Sequence, residues 1–304
     1  MKKNKIRFNF IASLLISLSI IVFLFVKVPL EGVLKSIGRA DIKIVLLVFM
    51  IATLNNFLVS AYRWKLLLGK LHCDISFQQA LLIKLGSNPM VSVLPFRSGE
   101  FFKLLYLKET EDLPYSKSII SIISEYLLNI IVLLGFILLG VLIQLFIGNS
   151  FFISRNLNIS CLCFANFSPL KYFRYSRIKI FLSEFKKVFK KDVFLFTILY
   201  MIVELITIHL LSIALAIPIP FYKILIFMPV TILLANIPIT ILGLGTREAA
   251  ILFFFSGFGL KQQLFSLGIL CSFIEYILPI IIGGSVTGYF LTKVFQKKNE
   301  GFIS

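Results

Sequence analysis

Residues 88–100 read NPMVSVLPFRSGE, and residues 236–248 read NIPITILGLGTRE. Both stretches open on asparagine (Asn88, Asn236) and close on glutamate (Glu100, Glu248) at the same spacing. Between those ends Val91 and Val93 face Ile239 and Ile241, Ser92 and Ser98 face Thr240 and Thr246, and Leu94 faces Leu242. A helix breaker, Pro95 or Gly243, holds the same place in each. Downstream, SEYLLNII (124–131) aligns with IEYILPII (274–281), so Glu125 and Tyr126 correspond to Glu275 and Tyr276. The offset is about 150 residues throughout, the mark of an internal repeat. Leu, Ile and Val match by accident in any apolar chain, whereas paired glutamates and an asparagine do so rarely. The chain is therefore read as a duplication with one interrupted helix in each half.

The surroundings of the two stretches are oily. Of 304 residues, 59% are hydrophobic, and the mean hydropathy is +0.97. Several windows are long and uncharged enough to fill a bilayer core, which takes about 20 apolar residues per helix. An all-α polytopic membrane protein of about 7–8 transmembrane segments follows. The net charge of +17 belongs to the loops of such a protein, where Lys and Arg set orientation and meet anionic lipid. No nucleic-acid partner is expected. Cys73, Cys161, Cys163 and Cys271 form no CxxC pair, and His72 and His209 supply no zinc cluster, so no metal, cofactor or disulfide framework is expected.

Residues 1–304 read as one integral membrane domain. KKNKIRFNF leads into a first helix over 8–27, too long for a cleaved signal and placing the N-terminus in the cytoplasm. Glu31, Lys35, Arg39 and Asp41 mark a charged connector, and helix two covers 43–62, ending on the interfacial YRWK. Repeat 1 spans 43–147; its segment from 77 onward is broken at Pro89, Pro95 and Gly99, and a long helix over 118–147 closes it. Residues 149–191 form a basic cytoplasmic connector. Repeat 2 spans 192–292, with helices over 192–216 and 263–292 around a segment broken at Pro229, Pro238, Gly243 and Gly245. A basic tail covers 293–304. Loop charge favours inverted repeats, although an arrangement of about 8 spans with both ends inside suits the lysine-rich tail better.

An ionised side chain at mid-bilayer costs about 2.5–3.5 kcal/mol even on lenient insertion scales. Glu100, Glu125, Glu204, Glu248 and Glu275, with Arg97 and Arg247, must therefore turn inward together or sit near an interface. Helical spacing supports convergence. Asn56, Ser60 and Arg63 share one face, as do Ser121, Glu125 and Asn129. An interrupted helix also opens an anion site at its new N-terminus, where free N–H groups and the dipole point at the ligand. Ser98 and Thr246 are placed to cap helices starting at 99 and 247. The competing structural reading makes Glu100 and Glu248 first-turn acids with Arg97 and Arg247 as counter-ions.

Asn88, Leu94, Pro95, Gly99, Glu100 and Lys103, with AYRWKLLL (61–68) and GLGTRE (243–248), resemble the flippase-like membrane region of lysylphosphatidylglycerol synthases. The resemblance spans nearly the whole chain; at Lys103 the family pattern more often has Arg. It implies a lipid flippase or translocase of the cytoplasmic membrane, moving an anionic or aminoacylated phospholipid or a lipid-phosphate head group. Arg97, Ser98, Gly99, Glu100, Lys103, Thr246, Arg247 and Glu248 would bind substrate. Asn56, Arg63, Asn88, Glu125, Asn129, Glu204, Asn236 and Glu275 would form the polar core or couple its motion. No enzymatic activity is expected of these residues, because the synthases carry aminoacyl transfer on a separate soluble domain. The alternative is a non-transporting membrane partner of a glycosyltransferase or lipid-modifying enzyme.

Overall fold

A computed structural model describes residues 28–94, 98–147, 183–237 and 243–300, with side chains to 293. The expected helix over 8–27, most of the basic connector (149–182), and Arg97 lie outside the described residues. Within them the chain is helical, without strands. We number the helices α1 (Leu30–Gly38), α2 (Ile42–Lys70), α3 (Phe77–Val93), α4 (Glu100–Glu111), α5 (Tyr115–Phe146), α6 (Lys191–Ala214), α7 (Phe221–Ala235), α8 (Thr246–Phe254) and α9 (from Lys261, through Leu278–Glu300). Four of them, α2, α5, α6 and α9, are long and apolar enough to cross a membrane. The chain is a multi-pass helical membrane protein.

Local chemistry sets several boundaries. Asp41 caps α2 by accepting from the Lys43 N–H at 2.9 Å. Ser76 and Gln79 cap α3 reciprocally, at 3.2 and 2.8 Å. The connector expected after residue 27 is instead helix α1, seated on α9 through Val28, Val33 and Phe265. Helix two does not end on YRWK but continues to Lys70. Arg63 and Trp64 are fully interior, at 3% and 0% exposure; Arg63 has acceptors inside the protein and needs no interface. Both α2 and α9 contain a π turn, Asn55–Val59 and Phe273–Ile277. Two expected breaks are absent, since Pro89 lies within α3 and Pro229 within α7. Pro89 has no N–H for the Leu85 carbonyl, and Gly283 of α9 lies close against that carbonyl and the proline ring.

Printed contacts fix the directions of the helices. Lys70 ion-pairs Asp192 at 2.6 Å, while the Asp41 N–H donates to the Ala214 carbonyl at 2.9 Å. Thus α2 and α6 run antiparallel. Helices α3 and α4 form a hairpin whose open end is closed by Gln79 donating to Glu111 at 3.0 Å. Helices α7 and α8 form another, with Phe227 stacked on Phe254 at 5.3 Å. The α3–α4 hairpin opens at the Lys70 end of the bundle. The α7–α8 hairpin opens at the Asp41 end, where Lys223 donates to Gln144 near the close of α5. At about 1.5 Å per residue, every hairpin helix is shorter than the roughly 30 Å hydrocarbon core. α3 packs antiparallel on the C-terminal half of α9, where Thr287 donates to the Gly86 carbonyl. α7 packs antiparallel on α5, with Gly140 against Ile226. Exposed Leu46, Met50, Leu134, Leu138, Leu195 and Ile281 face outward, as lipid contact requires.

Candidate functional site

The tips of both hairpins meet a polar cavity of about 160 Å³ in the middle of the bundle, room for several waters. Its walls come from α2 (Asn56, Ser60, Arg63), α3 (Lys84, Asn88, Ser92), α4 (Glu100, Lys103), α5 (Glu125, Tyr126, Asn129), α6 (Tyr200) and α9 (Glu275, Tyr276). Asn236 and Gly243 bring in the second hairpin. Nine residues singled out from sequence therefore line one space: Asn56, Arg63, Asn88, Glu100, Lys103, Glu125, Asn129, Asn236 and Glu275.

The charges are arranged as two clusters. In the first, Glu125 Oε1 accepts from Arg63 Nη2 at 2.6 Å and from Lys84 Nζ at 2.8 Å. Arg63 Nη1 donates to Asn129 Oδ1 at 2.6 Å, and its guanidinium lies 4.7 Å from the Tyr200 ring centre. One turn along α4, Lys103 pairs with Glu100 at 2.7 Å, and Tyr126 donates to the same carboxylate at 3.2 Å. Lys84 and Lys103 both stand 5.8 Å from the Trp64 ring. Three cations thus face two carboxylates, and Arg63 Nε has no hydrogen-bond partner. In the second cluster Arg247 ion-pairs Glu275 and donates to the Tyr276 hydroxyl.

The remaining candidates sit apart from the cavity surface. Arg247 and Glu204 line a smaller neighbouring cavity. Ser98 is exposed at the hairpin turn and Gly99 is buried there. The N-cap falls one residue later than expected in the first hairpin, on Gly99, and one residue earlier in the second, on Gly245. Gly245 takes φ +86°, a backbone that glycine alone adopts freely. Thr246 donates its hydroxyl back to the Gly243 carbonyl. Glu248 is fixed as a first-turn acid, accepting from the Gly245 N–H at 2.7 Å and from Ser272 Oγ at 2.6 Å. Ser272→Ala leaves that buried carboxylate one donor short, for an expected loss of about 1–3 kcal/mol; comparing thermal melts of the two purified proteins measures it. Cys73, in the α2–α3 turn, has its thiol pushed up to about 11 by burial, then by Glu111 and Asp74, so it stays protonated and unreactive.

Lys84 was missed. Its signal was available: a lone lysine inside ALLIKLG (80–86) is an intramembrane charge of the kind that marks a polar interior.

A helical membrane protein with a charged cavity between two short hairpins is the class these observations define. The chain belongs to the family described as the lysylphosphatidylglycerol synthase TM region, whose model matches residues 10–283. Among curated proteins no relative matches it.

Proposed function

We propose that the protein is a lipid flippase or translocase that carries an anionic or aminoacylated phospholipid, or a lipid-phosphate head group, across the cytoplasmic membrane. One observation carries this reading: Arg63, Lys84 and Lys103 line a polar cavity of about 160 Å³ with Glu100, Glu125 and Glu275, and Glu275 is already paired with Arg247. A buried excess of one cation is costly unless an anion completes it. A head-group phosphate supplies that charge, while its acyl chains stay in lipid. Arg63 and Lys84 hold it, Glu125 keeps both cations in place, and the asparagines and tyrosines of the wall meet its polar remainder. Arg247, tied to Glu275, supports the opposite wall.

The architecture suits movement. We read α2–α5 and α6–α9 as inverted duplicates, each a long helix, a re-entrant hairpin and a second long helix. Three features support this: α2 and α6 are antiparallel, the hairpins open at opposite ends, and α3 packs on α9 as α7 packs on α5. Inverted repeats around a midplane site move by rocking one hairpin against the other. Lys65, Lys70, Lys108, Lys117, Lys187, Lys190, Lys191 and Lys293 gather at the Lys70 end, which the positive-inside rule places in the cytoplasm. The end of α9 lies on that side, so inversion and a basic cytoplasmic tail agree.

Liposomes carrying the purified protein and a fluorescent anionic phospholipid test the proposal. Leaflet exchange, followed by dithionite quenching, should speed up at least tenfold, and Lys84→Met should remove the gain while leaving the Arg63–Glu125 pair intact. Equal rates with and without protein rule the function out and leave a scaffold for a membrane enzyme.

A further inference from the structure

Trp64 is the one tryptophan in the chain, and it stands at 0% exposure. It adjoins two residues that line the larger cavity. Lys84 of α3 and Lys103 of α4 each place Nζ 5.8 Å from the centre of its ring. One indole of α2 therefore receives an ammonium group from both arms of the first hairpin. Lys84 also pairs with Glu125 at 2.8 Å, and Lys103 with Glu100 at 2.7 Å. The two lysines are 5% and 2% exposed, so bulk water does little to hold their charges.

Packing alone does not call for a tryptophan here. The ring sits among Leu68, Ile83, Leu107 and Phe290, an apolar setting that phenylalanine or leucine also satisfies. The indole adds an N–H, and Nε1 has no hydrogen-bond partner. A buried donor without an acceptor is costly, and neither of those residues carries one. What indole has over both is the ring face that attracts a cation most strongly within about 6 Å, the more so when water is excluded.

We infer that Trp64 is a positioning residue of the cavity: its ring holds Lys84 and Lys103 together in place for one head-group phosphate. This role rests on the lipid-moving reading of the cavity. Lysine is a point charge on a flexible stem, so its head needs fixing from more than one side. A further carboxylate could do this but would cancel the charge. A ring attracts a cation without carrying a net charge of its own. It leaves both lysines free to turn from Glu125 and Glu100 to an incoming phosphate. It also offsets the mutual repulsion of two ammonium groups gathered at one place. Successive residues of α2 thus act differently: Arg63 meets the phosphate, and Trp64 supports the other two cations.

The test uses the full chain in detergent and dihexanoyl phosphatidylglycerol, a water-soluble anionic phospholipid. Its apparent Kd is read from the saturable rise in melting temperature. Trp64→Leu, which removes the ring face, should weaken binding about tenfold. Trp64→Phe, with a weaker face, should weaken it about threefold. In a Lys103→Met background the same Trp64→Phe change should cost less, because the ring then holds one cation. Lower melting temperatures with an unchanged Kd make Trp64 a packing residue and overturn the proposal, as do additive effects of Trp64→Phe and Lys103→Met. Fluorescence from the single tryptophan gives a second reading that needs no lipid. Its emission should shift in Lys84→Met and in Lys103→Met, and stay put in Lys43→Met, an exposed position at the far end of α2. Unmoved emission in both ring-facing variants overturns the proposal even where Trp64→Leu fails to fold. A parent that neither binds the lipid nor exchanges it sinks the translocase reading and this role with it. Equal affinities in the parent and Trp64→Leu, beside normal leaflet exchange, sink only the role of Trp64.

Discussion

Glu125→Ala should destabilise the protein by about 3–5 kcal/mol, the penalty for removing one partner of a buried ion pair. Glu125 Oε1 receives both Arg63 and Lys84, whose side chains are only 4% and 7% exposed. Without it, two cations remain in a space that has no other carboxylate within ion-pair reach of them among the described residues. The measurement is a denaturant or thermal melt in detergent, read by helical circular dichroism. The triple change Glu125→Met, Arg63→Met and Lys84→Met removes all three charges and should recover most of that loss, because an apolar replacement of a buried ion set is often neutral or better. Leaflet exchange should stay absent in the triple variant. That split between regained stability and lost exchange separates a charge set kept for binding from one kept for folding. A single Glu125→Ala variant that loses less than about 1 kcal/mol would show the trio to be solvated like a surface pair.

The sequence made the class of fold readable, because charge-poor stretches long enough to span a bilayer leave a helical chain few other places to go. It also showed which residues converge. Asn56, Ser60 and Arg63 repeat at helical spacing, as do Ser121, Glu125 and Asn129, and their cost in lipid forces those faces inward. Residues whose role depends on what lies across the bundle were less legible. Arg63 carries two sequence readings, the inward face it shares with Asn56 and Ser60 and the basic end of an interfacial YRWK, and only Glu125 of α5 beside it decides between them. Lys84 stands out locally as a lone lysine in an apolar run, but its partner, 41 positions away, is not legible from that run. Pro89 and Pro229 look like breaks in one dimension, yet a glycine against the Pro89 turn lets α3 pass through. The π turns of α2 and α9 have no local signature at all.

Under the proposed duplication, the aligned positions differ in chemistry. Glu125 and Glu275 occupy matching places, and each is held by an arginine. The arginines come from different elements, Arg63 from α2 and Arg247 from α8. Lys84 and Lys103 have Ile232 and Ile251 at the corresponding second-half positions under the same alignment. All three cations that line the larger cavity among the described residues, Arg63, Lys84 and Lys103, thus come from residues 63–103.

Gly99→Ala should be the most damaging single-methyl change at the hairpin tip. Gly99 adopts ordinary helical angles, φ −57° and ψ −21°, so its backbone does not demand glycine. Space does: a Cβ there would run into the Met90–Val91 peptide of α3. A peptide group cannot rotate away as a side chain can, so α3 and α4 must part. Overpacking of this sort costs about 1–3 kcal/mol, and it acts directly beneath Glu100 and Lys103. If the proposed function holds, leaflet exchange should fall further than stability does, because a shift near 1 Å misplaces the groups proposed to meet a head group together. Gly135→Ala is the matched control. It lies on the exposed face of α5 with nothing within 4 Å of an added Cβ, and it should leave exchange unchanged while gaining about 0.4–1 kcal/mol. If Gly99→Ala melts and exchanges like the parent, the two arms of the hairpin are not in backbone contact, and the cavity wall they form is not rigid.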